Sequence, residues 1–569
     1  MADAPPSQES LAAAVQKLLT EDPLFALGEA EIRGNTYGVF ANAPKSLVGL
    51  FMYGAAHGEK DFMLFEDERL SFAETWRRAC RFAHALKNEL DVRQGDRVAI
   101  AMRNYPEWCI SYMAIISLGA VVVPLNAWWK TEELCYGLED CEAKIVVVDY
   151  RRLEYLRPIK ERLDLTLILA RSEASDGADY LYDDLLLAGA AVDSPPEADI
   201  EPDDDFCIVY TSGSTGSPKG AILTHRGCIT TILSWALLAS AVREVRGENY
   251  FGDNPGILLG IPLFHVTGSH SIFLLSYVVG RRMAIMYRWD PEEAVRLINK
   301  EKLTNFVGVP SQSYELMEAA GDDELPSLID IGSGGAKRPP EHVKMLAEKF
   351  KSANASSGYG LTETNALGCI ITQDDYLEHP DSTGRVVPPV TQLKIMKEDG
   401  EEAAPCEVGE IWIRTAANFR GYLNNPEETA RTITSDGWFK TGDLGKIDEE
   451  GFVTIVDRIK DLIIRGGENI SCIEVENRAY EFSKVAEASA FSVPDNVLGE
   501  RVGLVVFPRK GAEIDPHELR DFMARELAGF KVPERIWISP APLPRLGTAK
   551  IDKITVKTIA LQHPPALVV

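Results

Sequence analysis

Thr211-Ser212-Gly213-Ser214-Thr215-Gly216-Ser217-Pro218-Lys219-Gly220 follows directly on an apolar run at residues 206–210. The run reads as a buried strand, and the ten residues read as the loop leaving its end. Glycines and hydroxyls at a strand end expose backbone N–H groups, which suit a polyphosphate. Lys219 adds a point charge for the β- and γ-phosphates. A Walker A loop is a poor match, since Pro218 precedes the lysine and no Lys-Ser/Thr pair follows Gly216. A kinase or motor ATPase loses ground accordingly.

Outward from this loop, apolar β-branched runs alternate with amphipathic stretches. Residues 98–102, 144–148, 165–169, 257–261 and 306–309 read as buried strands, with helices such as 291–300 and 340–351 between some of them. That alternation predicts an α/β architecture with largely buried sheets. Residues 111–125 are apolar, but Gly119 and Pro124 interrupt them and they fall short of a bilayer span. A core helix at 107–118 and a core strand at 120–124 are expected instead, and no transmembrane segment. The first forty-odd residues read as a helix at 8–19 and a loose lead-in. From about Gln392 short strands appear (393–396, 409–414, 452–456), predicting a smaller β-rich portion. Beyond Arg458 lies a compact stretch with helices at 474–482 and 517–527 and a strand at 502–507. The charged boundary at 457–461 has no Pro or Gly padding, which suits a hinge better than a flexible linker.

The chain has 569 residues, too many for one compact core, so two or more domains are expected. Its 59 basic and 86 acidic residues leave a net charge of −27, which repels nucleic acid and anionic membrane surfaces. Nine scattered cysteines with no C-x-x-C pair fit reduced thiols in a cytoplasmic protein better than disulfides or a zinc site. The N-terminus lacks the basic start and apolar stretch of a signal peptide.

Residues 211–220 closely resemble the phosphate loop of the adenylate-forming superfamily, which includes acyl-CoA synthetases, luciferases and peptide-synthetase adenylation domains. Further motifs match in order between about residues 70 and 553. Gly332-Ser333-Gly334-Gly335-Ala336 resembles the strand-end loop beside the adenine and acyl group. Gly358-Tyr359-Gly360-Leu361-Thr362-Glu363-Thr364 resembles the central motif. There the resemblance implies that Tyr359 stacks on adenine, Thr362 touches the α-phosphate and Glu363 helps hold Mg²⁺. Asp443 in Thr441-Gly442-Asp443-Leu444-Gly445 would accept both ribose hydroxyls. Arg458 would reach the ribose, Ile455 would lie beside the nucleotide, and Lys460 would stand at the hinge. Pro544-Arg545-Leu546-Gly547-Thr548-Ala549-Lys550 supplies Lys550 as the catalytic lysine, with Ala549 where relatives usually carry glycine. The implied fold is a large N-terminal domain (1–457) of two helix-flanked β-sheets plus a smaller β-barrel-like part. A small mobile α+β C-terminal domain (458–569) follows it.

The chemistry agrees with those roles. A carboxylate attacking the α-phosphate builds charge on phosphate oxygens, which calls for electrostatic stabilisation rather than a covalent intermediate on the protein. Pro262-Leu263-Phe264-His265-Val266-Thr267-Gly268 resembles the segment gating the acyl pocket of CoA ligases, with His265 at its mouth. Amino-acid-activating relatives carry an Asp after that Phe, and its absence disfavours an amino acid. Arg465-Gly466-Gly467-Glu468 resembles the loop along which pantetheine runs, so Gly466 and Gly467 point to coenzyme A. The expected reaction takes ATP, a carboxylic acid and CoA, with the acid a medium- or long-chain fatty acid. An aryl or steroid-side-chain acid and a separate carrier protein stay open as alternatives, as does assembly into a homodimer. No Gly-x-Ser-x-Gly elbow is present for a serine hydrolase.

Overall fold

Two large sheets face each other across a layer of helices in the computed structural model, which describes residues 8–189, 192–211, 218–547 and 549–569. The first sheet has eight strands. Its middle is parallel (Val121–Pro124, Arg97–Ala101, Ile145–Val148, Thr166–Leu169), and Asp205–Thr211, Lys219–Thr224 and Gly421–Tyr422 extend one side. The second sheet has nine strands, with Asp330–Gly334 and Asn354–Gly360 adjacent and parallel near one edge. Both inner faces bury Val, Ile, Leu and Phe against the helices Phe72–Leu90, Pro106–Ser117 and His225–Arg246 in one continuous core. Separate apolar clusters fill the outer faces. This double covering is why the strand runs read as continuously apolar instead of alternating.

The segment at residues 111–125 is core, as expected: the helix Pro106–Ser117 is buried apart from the partly exposed Glu107, and the strand Val121–Pro124 is buried throughout. A different helix, His225–Arg246, is the one long and apolar enough to pass a membrane-span test among the described residues, and it packs against both sheets. Thr224 caps it, accepting from the N–H of Gly227 at 3.2 Å.

The part expected to be barrel-like is an open antiparallel sheet of four strands, Thr391–Met396, Gly409–Thr415, Phe439–Ile447 and Val453–Arg458. Its first and last strands do not pair, so no barrel closes. After the single 3₁₀ turn Ile459–Asp461, residues 463–567 form a further unit with its own core around Val475, Leu504, Val506 and Ile536. Here the helix expected at 517–527 is shorter, Pro516–Met523. Of the nine cysteines, all free, only Cys406 is exposed.

Candidate active site

The site forms where the second sheet, the four-stranded sheet and the C-terminal unit meet. Asp443 and Arg458 are direct cross-strand partners on Phe439–Ile447 and Val453–Arg458. Register alone therefore sets their side chains together, with Nε 3.3 Å from Oδ1. The other oxygen of Asp443 accepts from the Tyr359 hydroxyl at 2.8 Å. Tyr359 lies on Asn354–Gly360, and its buried ring packs against Ile411, Ile413 and Val453. Burial pushes the Asp443 carboxyl up, while Arg458 and Tyr359 hold it down. Ile455 is half-buried on the same strand as Arg458, and its carbonyl accepts from Lys337 Nζ at 3.0 Å.

Glu363 sits in the 3₁₀ turn Thr362–Thr364 beyond the end of Tyr359's strand. Its side chain is buried and takes one hydroxyl donor, Tyr422, at 2.7 Å from Oε1. Burial raises its pKa and the Tyr422 bond opposes that rise. Among the described residues no group of three or more His, Cys, Asp or Glu side chains could hold a metal. The buried carboxylate of Glu363 fits Mg²⁺, which takes one or two carboxylates and fills its shell with water and phosphate oxygens. Thr362 is half-buried beside Glu363. On the returning strand Lys219–Thr224, Lys219 Nζ lies 2.5 Å from Glu428 Oε1 and 5.3 Å from the Tyr422 ring centre. Thr211 ends the preceding strand, and Ser212, Gly213, Ser214, Thr215 and Gly216 lie outside the described residues.

Lys550 reaches this place from the C-terminal unit. A Cβ built on Gly335 would stand 2.8 Å from Lys550 Cε and 3.2 Å from Nζ, so a side chain there would displace the lysine. Gly335 also has φ +78°, a conformation glycine adopts freely. Gly334 ends the strand Asp330–Gly334, Ala336 follows the turn, and Gly358 and Gly360 flank Tyr359 on the neighbouring strand. Burial and the nearby Arg458 push the lysine's pKa down to about 8, against the pull of Asp443 and Glu363. His265 is close enough to Lys550 to feel its charge. Burial first and Lys550 second take its pKa to about 3, so the imidazole is neutral. Its Nε2 is buried without a hydrogen-bond partner among the described residues. After His265 the chain turns into a π-helix, Thr267–Leu274, a rare form that often marks a functional segment. Gly268 is needed at that turn, because a Cβ would lie 2.3 Å from the carbonyl oxygen of Pro262.

Lys550, Gly335, Tyr359, Glu363, Asp443, Arg458 and His265 are thus one constellation. Gly466 and Gly467 stand apart from it. Both are exposed, and among the described residues only Leu498 is found within 4 Å of the missing Cβ positions, beside Gly466. Lys460 is exposed on the 3₁₀ turn Ile459–Asp461 between the two units. Tyr422 and Glu428, the partners of Glu363 and Lys219, escaped the sequence reading. Asn424-Asn425-Pro426 does announce a turn and a helix start, with Asn425 capping Glu428 N at 3.0 Å. Nothing local announces a contact with Glu363, 59 positions away.

Two family models match the chain: AMP-binding enzyme over residues 51–423, and AMP-binding enzyme C-terminal domain over residues 474–550. A long-chain-fatty-acid–CoA ligase of Bacillus subtilis (strain 168) is 32% identical over 526 residues, covering 87% of this chain and 90% of the relative. A feruloyl-CoA synthase from Amycolatopsis sp is 32% identical over 489 residues, covering 85% and 92%. Among solved structures, ATP-bound MatB from Rhodopseudomonas palustris superposes with a TM-score of 0.78 at 28% identity, covering 90% of this chain and 98% of that one. With both halves of the family present and the charged constellation assembled between them, the chain belongs to the AMP-binding, adenylate-forming enzymes, as an acid–CoA ligase that uses ATP, CoA and Mg²⁺.

Proposed function

We propose that this ligase activates a hydrophobic acid, a medium- or long-chain fatty acid, as its acyl-adenylate and then transfers the acyl group to CoA. The observation that carries the first step is the position of Lys550 at Gly335, within the field of Glu363, Asp443 and Arg458. In this reading the Lys550 ammonium meets the acid's carboxylate and the α-phosphate as charge builds between them. Asp443 and Arg458 orient the ribose, and Tyr359 flanks the base. Thr362 donates to the α-phosphate, and Glu363 would hold Mg²⁺, which neutralises the leaving pyrophosphate. Lys219 exchanges Glu428 for the outer phosphates. Neutral His265 stands at the acyl mouth, and its unpartnered Nε2 is free to meet the carboxylate.

The acid class rests on the helices behind His265. Ile229, Ile232, Leu233, Leu237, Ile272 and Phe273 are buried in the core there, and an acyl pocket opening between these helices would have an apolar wall that suits an alkyl chain. One observation favours a second reading, an aryl acid. Thr231 Oγ1 is buried in this region without a hydrogen-bond partner among the described residues, while His270 and Asn365 face each other. A ring hydroxyl or ether could satisfy such an atom and an alkyl chain could not.

For the second step, residues 458–569 would turn as one domain on residues 1–457 about Lys460, exchanging Lys550 for the Gly466-Gly467 loop. The free thiols support a cytoplasmic setting. The test is CoA-dependent AMP release from ATP against straight-chain, hydroxycinnamic and steroid-side-chain acids, with Lys550→Ala as control. Release with fatty acids that falls about 10²–10³-fold in the variant supports the reading. Preference for hydroxycinnamates moves it to the aryl class. Pyrophosphate release without a CoA thioester would move the acceptor to a carrier protein.

A further inference from the structure

Lys550 is held in place from outside its own side chain. Its backbone carbonyl accepts from Leu546 N at 2.8 Å, and Arg545 pairs with Ile551 across an isolated bridge, so residues 545–547 and 549–551 face each other. The Arg545 guanidinium leaves this loop and joins the two halves of the molecule. Nη2 lies 2.8 Å from Glu315 Oε1 and 2.6 Å from Glu487 Oε1. Nη1 donates to Ser311 Oγ and, at 3.1 Å, to the carbonyl of Ala549 next to the lysine. Ser311 and Glu315 are on the helix Pro310–Ala320 of the N-terminal part, and Glu487 is on the strand Val485–Asp495 of the C-terminal unit. Each carboxylate is already oriented by a second donor. Trp289 Nε1 lies 2.6 Å from the other oxygen of Glu315, and Leu543 N lies 2.7 Å from that of Glu487. Arg545 is one-fifth exposed and Glu315 one-third, so solvent screens this pair only in part.

We propose that Arg545 is a positioning residue for Lys550: by bridging Glu315 of one part and Glu487 of the other, it fixes the lysine in the site for acyl-AMP formation. Glu315 must let it go before CoA attacks. The bridge would then support one half-reaction and leave the other alone, a division that rests on the two-step reading above. Glu487 travels with Arg545, and Glu315 stays behind. The switch is thus the making and breaking of the Glu315 and Ser311 contacts.

The test separates the half-reactions, with dodecanoate and ferulate as probe acids. Arg545→Gln and Glu315→Gln should each slow pyrophosphate release, measured without CoA at saturating ATP and acid, by about tenfold to a hundredfold. The double variant should be no slower than the worse single one, because both remove one contact. Transfer from synthetic dodecanoyl-AMP or feruloyl-AMP to CoA should stay within about twofold of the unaltered protein. Equal slowing of both half-reactions, or additive losses in the double variant, would overturn the proposal. A second readout needs no activity: hydrogen exchange of the full chain should quicken at residues 310–320 and 545–551 in Arg545→Gln. Unchanged exchange there would also overturn it. If the unaltered chain adenylates none of the probe acids, the functional reading is what fails, and the exchange result alone decides on the bridge.

Discussion

Lys550 meets Asp443, Glu363 and Arg458 from three different segments, and their fields partly cancel, leaving burial to set its pKa near 8. A lysine is charged below its pKa and neutral above it. If the ammonium stabilises the α-phosphate, acyl-AMP formation should fall as pH rises through about 8, or higher once a bound polyphosphate adds negative charge. Lys550→Arg should lower the rate and abolish this alkaline limb, because a guanidinium stays protonated. Pyrophosphate release without CoA, followed from about pH 6 to about pH 10, measures both. An unmoved limb in the arginine variant would assign it to another group. His265, at about 3, stays neutral over that range and contributes no limb of its own. The neighbouring Ala549 has φ +64°, a conformation that glycine would adopt freely. A left-handed conformation costs a residue with a Cβ roughly 1–2 kcal/mol, strain that this chain carries beside Lys550.

At the scale of elements, an edge strand does more than finish the first sheet. Gly421–Tyr422 pairs with Lys219–Thr224, Ala221 facing Tyr422, so the strand returning from the phosphate loop aims the Tyr422 hydroxyl at Glu363. Tyr422→Phe removes the donor that opposes Glu363's raised pKa, and the carboxyl should take up a proton more readily. The half-saturating Mg²⁺ concentration should then rise about tenfold, and more at pH 6 than at pH 8. A Mg²⁺ titration of acyl-AMP formation checks this, and an unchanged requirement would separate Glu363 from the metal. Local patterns made the strands, the core helix at 107–118 and the order of the motifs legible, because burial on both faces writes itself as unbroken apolar runs. Glu363, Asp443 and Lys550 were legible by their resemblance to a family. Tyr422, Glu428 and Arg545 were not, since each acts through a contact that only the fold creates. The resemblance implies a barrel-like part where the four-stranded sheet is open, and the sequence alone does not tell the two apart, because short strands with turns look alike whether or not their edges meet.

Over the whole molecule, a charge of −27 meets two anionic substrates. Two cations near the site are already engaged with acids, Lys219 with Glu428 and Arg458 with Asp443. Long-range repulsion should therefore slow the arrival of ATP and CoA at low salt. Raising ionic strength from about 0.01 M to about 0.15 M shortens the screening length from about 30 Å to about 8 Å. The KM for CoA should fall over that range while kcat holds, the reverse of an enzyme with a basic entrance. Steady-state kinetics at a series of salt concentrations would show it, and a rising KM would reveal a local basic path that outweighs the net charge.

The folded-back loop that bears Lys550 bears on the economy of a turnover. Its closing contacts, Leu546 to Lys550 and Arg545 to Ile551, lie within the C-terminal unit. On the proposed rotation the lysine would be carried as cargo on a rigid body instead of at the end of a whip. Ordering a free loop costs about 1–2 kcal/mol per residue in backbone entropy. That cost would be settled once, when the chain folds, leaving each turnover a single hinge angle to find.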